Sequence, residues 1–422
     1  MSRTKVKNFL TDNVVTIIFV ILSLAGILVS GQPLLVIVRD ITQRFVRNSF
    51  IVLSLIIPVV AGLGLNFGIV IGAMAAQMSV IFVMDLGIGG FPGILLAMAI
   101  AAPLSWLFGI LIGKLLNKTR GQEMIASMIV GFFANGIYQL VYLAFMGRFI
   151  PVRTKSLILS SGVGVRNTVD LGGADGRGGL KYAIDDLWKL NFFVATMIIA
   201  GLFLIYQIYR LLKPRKIESQ SRKKRIIIII ALSLAFIFGF LGQFKLFLPR
   251  EILVLRTVPV PMVTMLLIAA LAIFTTWILK TKLGQDFRSV GQSQPIAGVS
   301  GIDVDKTRIT AVIISTILAA WGHIILLQNI GVLNTYGSHV SIGLYGVAAL
   351  LVGGATVDRA TIGQAFLGVL LFHTLFFISP FAGKVLLNDA QNAEYFRNIV
   401  AYGVIGLSLM LYAWKRSQAL KR

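Results

Sequence analysis

The chain has 422 residues, of which 57% are hydrophobic and 13% charged, with a formal net charge of +23. That is too oily for a water-soluble domain and leaves too few charges to cover a large globular surface, so most of the chain must be solvated by lipid. Cysteine is absent, which excludes disulfides and thiolate chemistry, and the Lys and Arg residues cluster between apolar runs as topology signals do, which argues against nucleic-acid binding.

A bilayer core of about 30 Å needs roughly 20 apolar residues per helix. Runs near that length predict helices at 13–30, 49–63, 68–85, 91–113, 124–147 and 191–212, then at 226–242, 259–279, 309–329, 342–356, 361–378 and 398–414. The expected fold is all-α, a polytopic transmembrane helical bundle of about 10 to 12 membrane helices, with 1–422 as one transmembrane domain. The first run follows Arg3, Lys5 and Lys7. It reads as a retained helix, being long for the core of a signal peptide and lacking a small-residue cleavage pattern after it.

Between the first two helices, Gln32 to Asn48 alternates apolar positions with Arg39, Arg44 and Arg47, and is expected to lie flat at the outer interface. The stretches 49–63 and 342–356 are too short to cross comfortably, which predicts broken or re-entrant helices lining a cavity. Tyr138, Tyr142 and Phe145 fit either an interfacial belt or simple packing. An even number of crossings and the basic tail, Lys415, Arg416, Lys421 and Arg422, put both termini in the cytoplasm. The clusters Lys114–Arg120 and Lys213–Arg225 fall on the same side, as does the loop Lys280–Arg308, whereas Arg148–Leu190, with its Gly-rich turn Leu171–Leu180, falls outside.

Phosphate-binding, zinc-protease and nucleophile-elbow motifs are missing from the sequence, so the chain is expected to hold no ATP site or cofactor and to move something rather than catalyse. His323 and His373 have no acidic residue within a helical turn and read as hydrogen-bonded structure, not proton carriers. Asp358 and Arg359 read as a solvated turn, and Asp305 as the N-cap of the helix starting near Lys306.

Two glycine-rich stretches lie at membrane depth. Gly64, Gly68 and Gly72 recur every four residues, predicting a smooth ridge for close helix approach. Asn66 within it, and Gln77 beyond it, are polar where lipid would penalise them, which makes them candidate path residues, with interhelical packing as the alternative. In the later stretch Gly343, Gly346, Gly353 and Gly354 loosen a short helix beside Ser338, His339 and Tyr345. Tyr345, Gly346, Gly353 and Gly354 are candidates for the outer part of a path.

The polar segment from Thr281, TKLGQDFRSVGQSQPIAGVSGIDVDKTR, is too long for a tight connection. Its glycines and Pro295 predict two short helices joined by turns. Phe287, Val290, Ile296, Val299 and Ile302 give it an apolar face, with Asp286, Arg288 and Asp303 at the rim, as a knob seated in a partner's groove would need.

That segment resembles the cytoplasmic coupling region of the permease subunits of bacterial ABC importers of the ribose, simple-sugar, nucleoside and branched-chain amino-acid class. The family pattern, roughly T-x-x-G, R-A-x-G, a degenerate E-A-A and G-I-x-V, is met at Thr281, Gly284, Arg288, Gly291, Gly301, Ile302 and Val304, and departed from at Gln294, Pro295 and Ile296. GLNFGIVIGAMAA, from Gly64, and YGVAALLVGGA, from Tyr345, resemble the family's early and late glycine-rich stretches. The region 148–258, with an extra helical hairpin near 191–242, is longer than in a small ribose permease. The resemblance implies coupling to ABC ATPase subunits through Gly284, Arg288, Gly291, Gly301, Ile302 and Asp303. It also implies a second permease subunit, an extracytoplasmic solute-binding protein and a bacterial inner-membrane location, with a simple sugar first and a nucleoside second as solute. The rival from another class, an ion-coupled secondary transporter, would need buried ionisable groups, which the predicted spans almost lack.

Overall fold

A computed structural model describes residues 13–173, 179–212 and 219–420. Arg3, Lys5 and Lys7, residues 174–178 of the Gly-rich turn, residues 213–218 of the basic cluster, and Lys421 and Arg422 lie outside the described residues.

With no water to satisfy backbone groups in lipid, each apolar run must bond within itself, and helices result. The first half comprises α1 (Val14–Ser30), α2 (Leu34–Ser54), α3 (Ile56–Val60), α4 (Ile69–Asp85), α5 (Gly90–Lys118) and α6 (Glu123–Leu140), the last prolonged by a π turn at Val141–Phe145. The second half comprises α7 (Phe192–Leu212), α8 (Ser219–Gln243), α9 (Met262–Ile278), α10 (Lys282–Gln292), α11 (Gln294–Val299) and α12 (Val304–Ile330). It ends with α13 (Ser338–Val352), α14 (Ile362–Leu387) and α15 (Ala390–Leu420). Among the described residues, 7 helices are long and apolar enough to cross a membrane, or 8 if α9 and α10, bent by 74°, are joined; α1, α4 and α13 are shorter apolar helices. The chain is an all-α, multi-pass membrane protein.

At the centre lies α12, clasped by α4 and α5 through small residues that let backbones approach. A Cβ at Gly109 or Gly113 of α5 would lie 2.8 Å from the Ile313 Cα or 3.0 Å from the Ile309 Cα, and one at Gly72 of α4 would lie 2.4 Å from the Thr316 carbonyl. On the periphery, α7 and α8 pack on each other as a hairpin whose Leu202, Ile205 and Ile227 are exposed, as lipid-facing side chains are. At the end of the bundle away from α10, the chain between α6 and α7 is stitched down by two antiparallel pairs. In one, β1 (Thr168–Asp170) runs beside β4 (Val332–Asn334); in the other, β2 (Lys189–Asn191) runs beside β3 (Pro259–Pro261).

Three local expectations are corrected, and one open choice is decided. Gln32–Asn48 is not a separate interfacial segment, because the helix runs from Leu34 through Ser54 and continues as α3, a 27-residue span. Arg44 and Arg47 turn into the protein, Arg44 pairing with Asp40 one turn earlier, while Arg39 stays exposed. The predicted glycine ridge is not a ridge either. Gly64 lies in the turn before α4 with φ +68°, Gly68 is the helix N-cap, and only Gly72 is within the helix. Asp303, not Asp305, caps α12 by accepting from the Lys306 amide at 3.0 Å, while Asp305 pairs with Arg120. For the three aromatic residues packing holds at Tyr138 and Tyr142, which are buried and stacked, whereas Phe145 is exposed.

Near the start of α12, Arg308 is fully buried; its Nη2 donates to Glu123 Oε1 (2.6 Å) and to the Leu116 carbonyl (3.3 Å). Glu123→Gln removes the countercharge from a guanidinium that cannot shed its proton, and is expected to cost about 3 kcal/mol of stability. The measurement is the thermal midpoint of the purified chain; an unchanged midpoint would show that Arg308 tolerates burial without Glu123.

Candidate functional site

Along α2, Arg44, Arg47, Asn48 and Ile51 recur at three- and four-residue intervals and so share one face. That face borders a cavity of about 150 Å³ inside the bundle. Opposite it stand Ser338, Ser341 and Tyr345 of α13 and His373 and Phe376 of α14, and α12 closes one side with Leu326 and Ile330. Beyond the cavity, beside the β2–β3 pair, a vestibule of about 620 Å³ is lined by Arg39, Asp40, Gln43, Tyr182, Asp185 and Lys189 among others. Arg47 and Ile330 border both spaces and therefore form the neck between them.

The charges around the neck are mostly committed. Arg44 pairs with Asp40 one turn earlier, and its guanidinium lies 5.5 and 5.7 Å from the ring centres of Phe376 and Phe377. From α15, Arg397 lies 5.1 Å from the Phe376 ring and pairs with Glu394. Among the described residues no carboxylate is paired with Arg47. In the vestibule wall Asp185 is buried, accepting from Thr264 Oγ1 (2.5 Å), Gln328 Nε2 (2.9 Å) and Asn329 Nδ2 (2.6 Å). These neutral donors tie the outer segment to α9 and α12.

Behind the cavity wall, Gln77 is the hub of a buried polar network. Its Nε2 donates to the Ser338 hydroxyl (2.6 Å) and lies 3.2 Å from His323 Nε2; its Oε1 accepts from the Tyr138 hydroxyl (2.8 Å) and contacts His339 Nδ1 (2.9 Å). The network joins α4, α6, α12 and α13, and reaches the cavity through Ser338.

The residues singled out from sequence separate accordingly. Tyr345 and Gly346 line the cavity, and Gln77 is one residue removed from it. Asn66 is buried in the turn before α4, where its Oδ1 accepts from the Gly68 amide at 2.9 Å. Gly72 packs on α12, Gly353 on α14 and Gly354 against Thr16. His323 takes a place in the network, whereas His373 borders the cavity. Sequence reasoning missed Arg44 and Arg47 as site residues, and with them the ionisable groups inside a span. The available signal was the i, i+4 spacing of Asp40 and Arg44, which lets a buried helix carry its own countercharge.

At the opposite end, α10 is capped by Thr281, whose Oγ1 accepts from the Gly284 amide (3.4 Å), and α11 follows after one residue. The apolar residues of this knob do not form one face. Phe287 and Val290 are buried at its root, Ile302 is partly buried, and Ile296 and Val299 are 69% and 92% exposed at its tip, with Arg288 exposed beside the root. Gly284 and Gly291 make close approaches. A Cβ would lie 2.3 Å from the Ile278 carbonyl oxygen at the first and 2.2 Å from the Val60 carbonyl oxygen at the second. Gly301, with φ +82°, turns the chain toward Asp303 and α12.

The family model described as "Branched-chain amino acid transport system / permease component" matches residues 178–411, more than half of the chain. The match runs from the outer segment through the knob, α12, α13 and α14 into α15; α2 and its arginines precede it. No curated protein and no solved structure matches the chain.

Proposed function

We propose that this chain, which belongs to the branched-chain amino acid transport system permease family, forms the path of an ATP-driven importer and is driven by separate ATPase subunits seated on the α10–α11 knob. The observation that carries this reading is the knob's construction. Its tip is apolar and exposed, as an unpartnered docking surface would be, while its root touches the backbone of α3 at Gly291 and Val60. Since α3 continues α2, a push on the knob bears on the helix that carries Arg44 and Arg47 into the cavity. A stiff backbone contact transmits displacement with little slack.

The remaining parts follow from the resemblance. Two such chains surround the path, the knob faces the cytoplasm of a bacterial cell with both termini, and an extracytoplasmic binding protein delivers solute to the vestibule end. A simple sugar is the first solute to test and a nucleoside the second. In proteoliposomes holding the chain with its ATPase subunits and binding protein, uptake is expected to require ATP. Arg288→Glu and Gly301→Trp are expected to leave the chain inserted but to uncouple uptake from hydrolysis. Uptake driven by an ion gradient with no ATPase present would instead support a secondary transporter.

A further inference from the structure

Arg47 sits at the midpoint of the 27-residue span Leu34–Val60, roughly 20 Å from either end at about 1.5 Å per residue. A guanidinium at that depth keeps its charge and needs either a countercharge or a polar path. Asp40, earlier on the same helix, is already bound to Arg44. The facing elements supply Ser338, Ser341 and Tyr345 from α13, His373 from α14 and only apolar side chains from α12. Arg397 on α15 is paired with Glu394. Three arginines thus stand near Phe376 with two carboxylates, each already paired with Arg44 or Arg397. Asp185, across the vestibule, is held by Thr264, Gln328 and Asn329, so among the described residues Arg47 is left with no paired carboxylate. Toward the vestibule, Arg39, Gln43 and Arg47 follow at four-residue steps along one face of α2, and all three line that space.

We propose that Arg47 is the anion-binding group of the path, and that the transported solute carries a carboxylate or a phosphate that pairs with it at the neck. This deepens the importer reading and rests on it for the direction of movement, though not for the binding itself. The guanidinium's fork of donors suits both anions. The vestibule lining is mixed in charge, with Asp40 and Asp185 beside Arg39, Arg47 and Lys189, and the exposed Arg39 gives an entering anion a first contact before Arg47. A sugar acid or a sugar phosphate satisfies the site; a neutral monosaccharide leaves Arg47 without a partner.

The test uses the full chain in phosphatidylcholine nanodiscs without ATPase, its thermal midpoint titrated at constant ionic strength with succinate, glycerol 3-phosphate or uncharged glycerol. At least one anion is expected to raise the midpoint saturably while glycerol does not, and the two anion arms separate a carboxylate from a phosphate solute. Arg47→Gln is expected to weaken that response about tenfold or more, since one charge-assisted pair is lost. Arg47→Lys is expected to keep part of it. Asn48→Asp leaves Arg47 in place but supplies an internal countercharge in the same cavity, and is expected to remove the response. The proposal is overturned if neither anion binds, if glycerol acts as the anions do, or if Arg47→Gln responds like the unmodified chain. ATP-dependent uptake with no anion response would sink this proposal alone; anion binding without ATP-dependent uptake would sink the importer reading alone.

Discussion

Ile296→Asp combined with Val299→Asp is expected to abolish ATP-driven uptake while leaving the chain folded and inserted. Both side chains are largely exposed at the tip of the knob, so in the isolated subunit their replacement should change stability by no more than about 0.5 kcal/mol. In an assembled importer the same positions enter a partner's groove, where truncating an anchoring side chain costs about 2 kcal/mol or more. Two such losses, with carboxylates that must be desolvated, amount to a weakening of docking of about a thousandfold. Co-purification of the ATPase subunits and uptake in vesicles measure it. Phe287→Asp is the contrasting variant: Phe287 is fully buried at the root, so its loss is expected to show first as a lower thermal midpoint of the isolated chain. Retained ATPase association and uptake in the double variant would show that the tip is not the docking surface.

Much of this arrangement is legible in the sequence because lipid allows so few solutions. Apolar runs near spanning length must become helices, and a polar stretch broken by Gly284, Gly291, Gly298, Gly301 and Pro295 cannot be one long helix, so α10 and α11 are readable as two short ones. The arginines of α2 are not readable in the same way. Charges in a hydropathy profile look like the end of a span, and the groups that let a span hold them, Phe376 and Phe377, come from α14, far along the chain. Asn66 and Gln77 show the same limit on a smaller scale. Both are amides at membrane depth; Asn66 caps the turn it belongs to, whereas Gln77 bridges helices from both halves of the chain. Nothing in their local sequence separates those roles. Asp303 and Asp305 are also alike as caps in sequence, and the turn at Gly301 decides that Asp303 reaches the free amides.

Gly353→Ala and Gly368→Ala are each expected to destabilise the chain, although Ala is the better helix former. In an open helical position, exchanging Gly for Ala stabilises by about 0.5–1 kcal/mol. Gly136 of α6, around which a Cβ would meet nothing within 4 Å, should show that gain. At Gly353 a Cβ would lie 1.9 Å from the Gln364 carbonyl oxygen, and at Gly368 1.8 Å from the Ala349 carbonyl oxygen. Neither contact can be relieved by a side-chain rotation, because backbone stands on both sides. α13 and α14 must therefore separate, and overpacking of this kind costs about 3 kcal/mol or more. Because both substitutions open one interface, their costs should fall short of additive when combined. The measurement is the thermal midpoint of each variant beside Gly136→Ala. A role for Gly353 in the path predicts the reverse pattern, a normal midpoint with altered uptake, since solute contact places no demand on the spacing of α13 and α14. A loss of stability at Gly353 and Gly368 with a gain at Gly136 would assign the late glycines to packing, which leaves selectivity to the wall they hold in place, Tyr345, Ser338 and His373 facing Arg47.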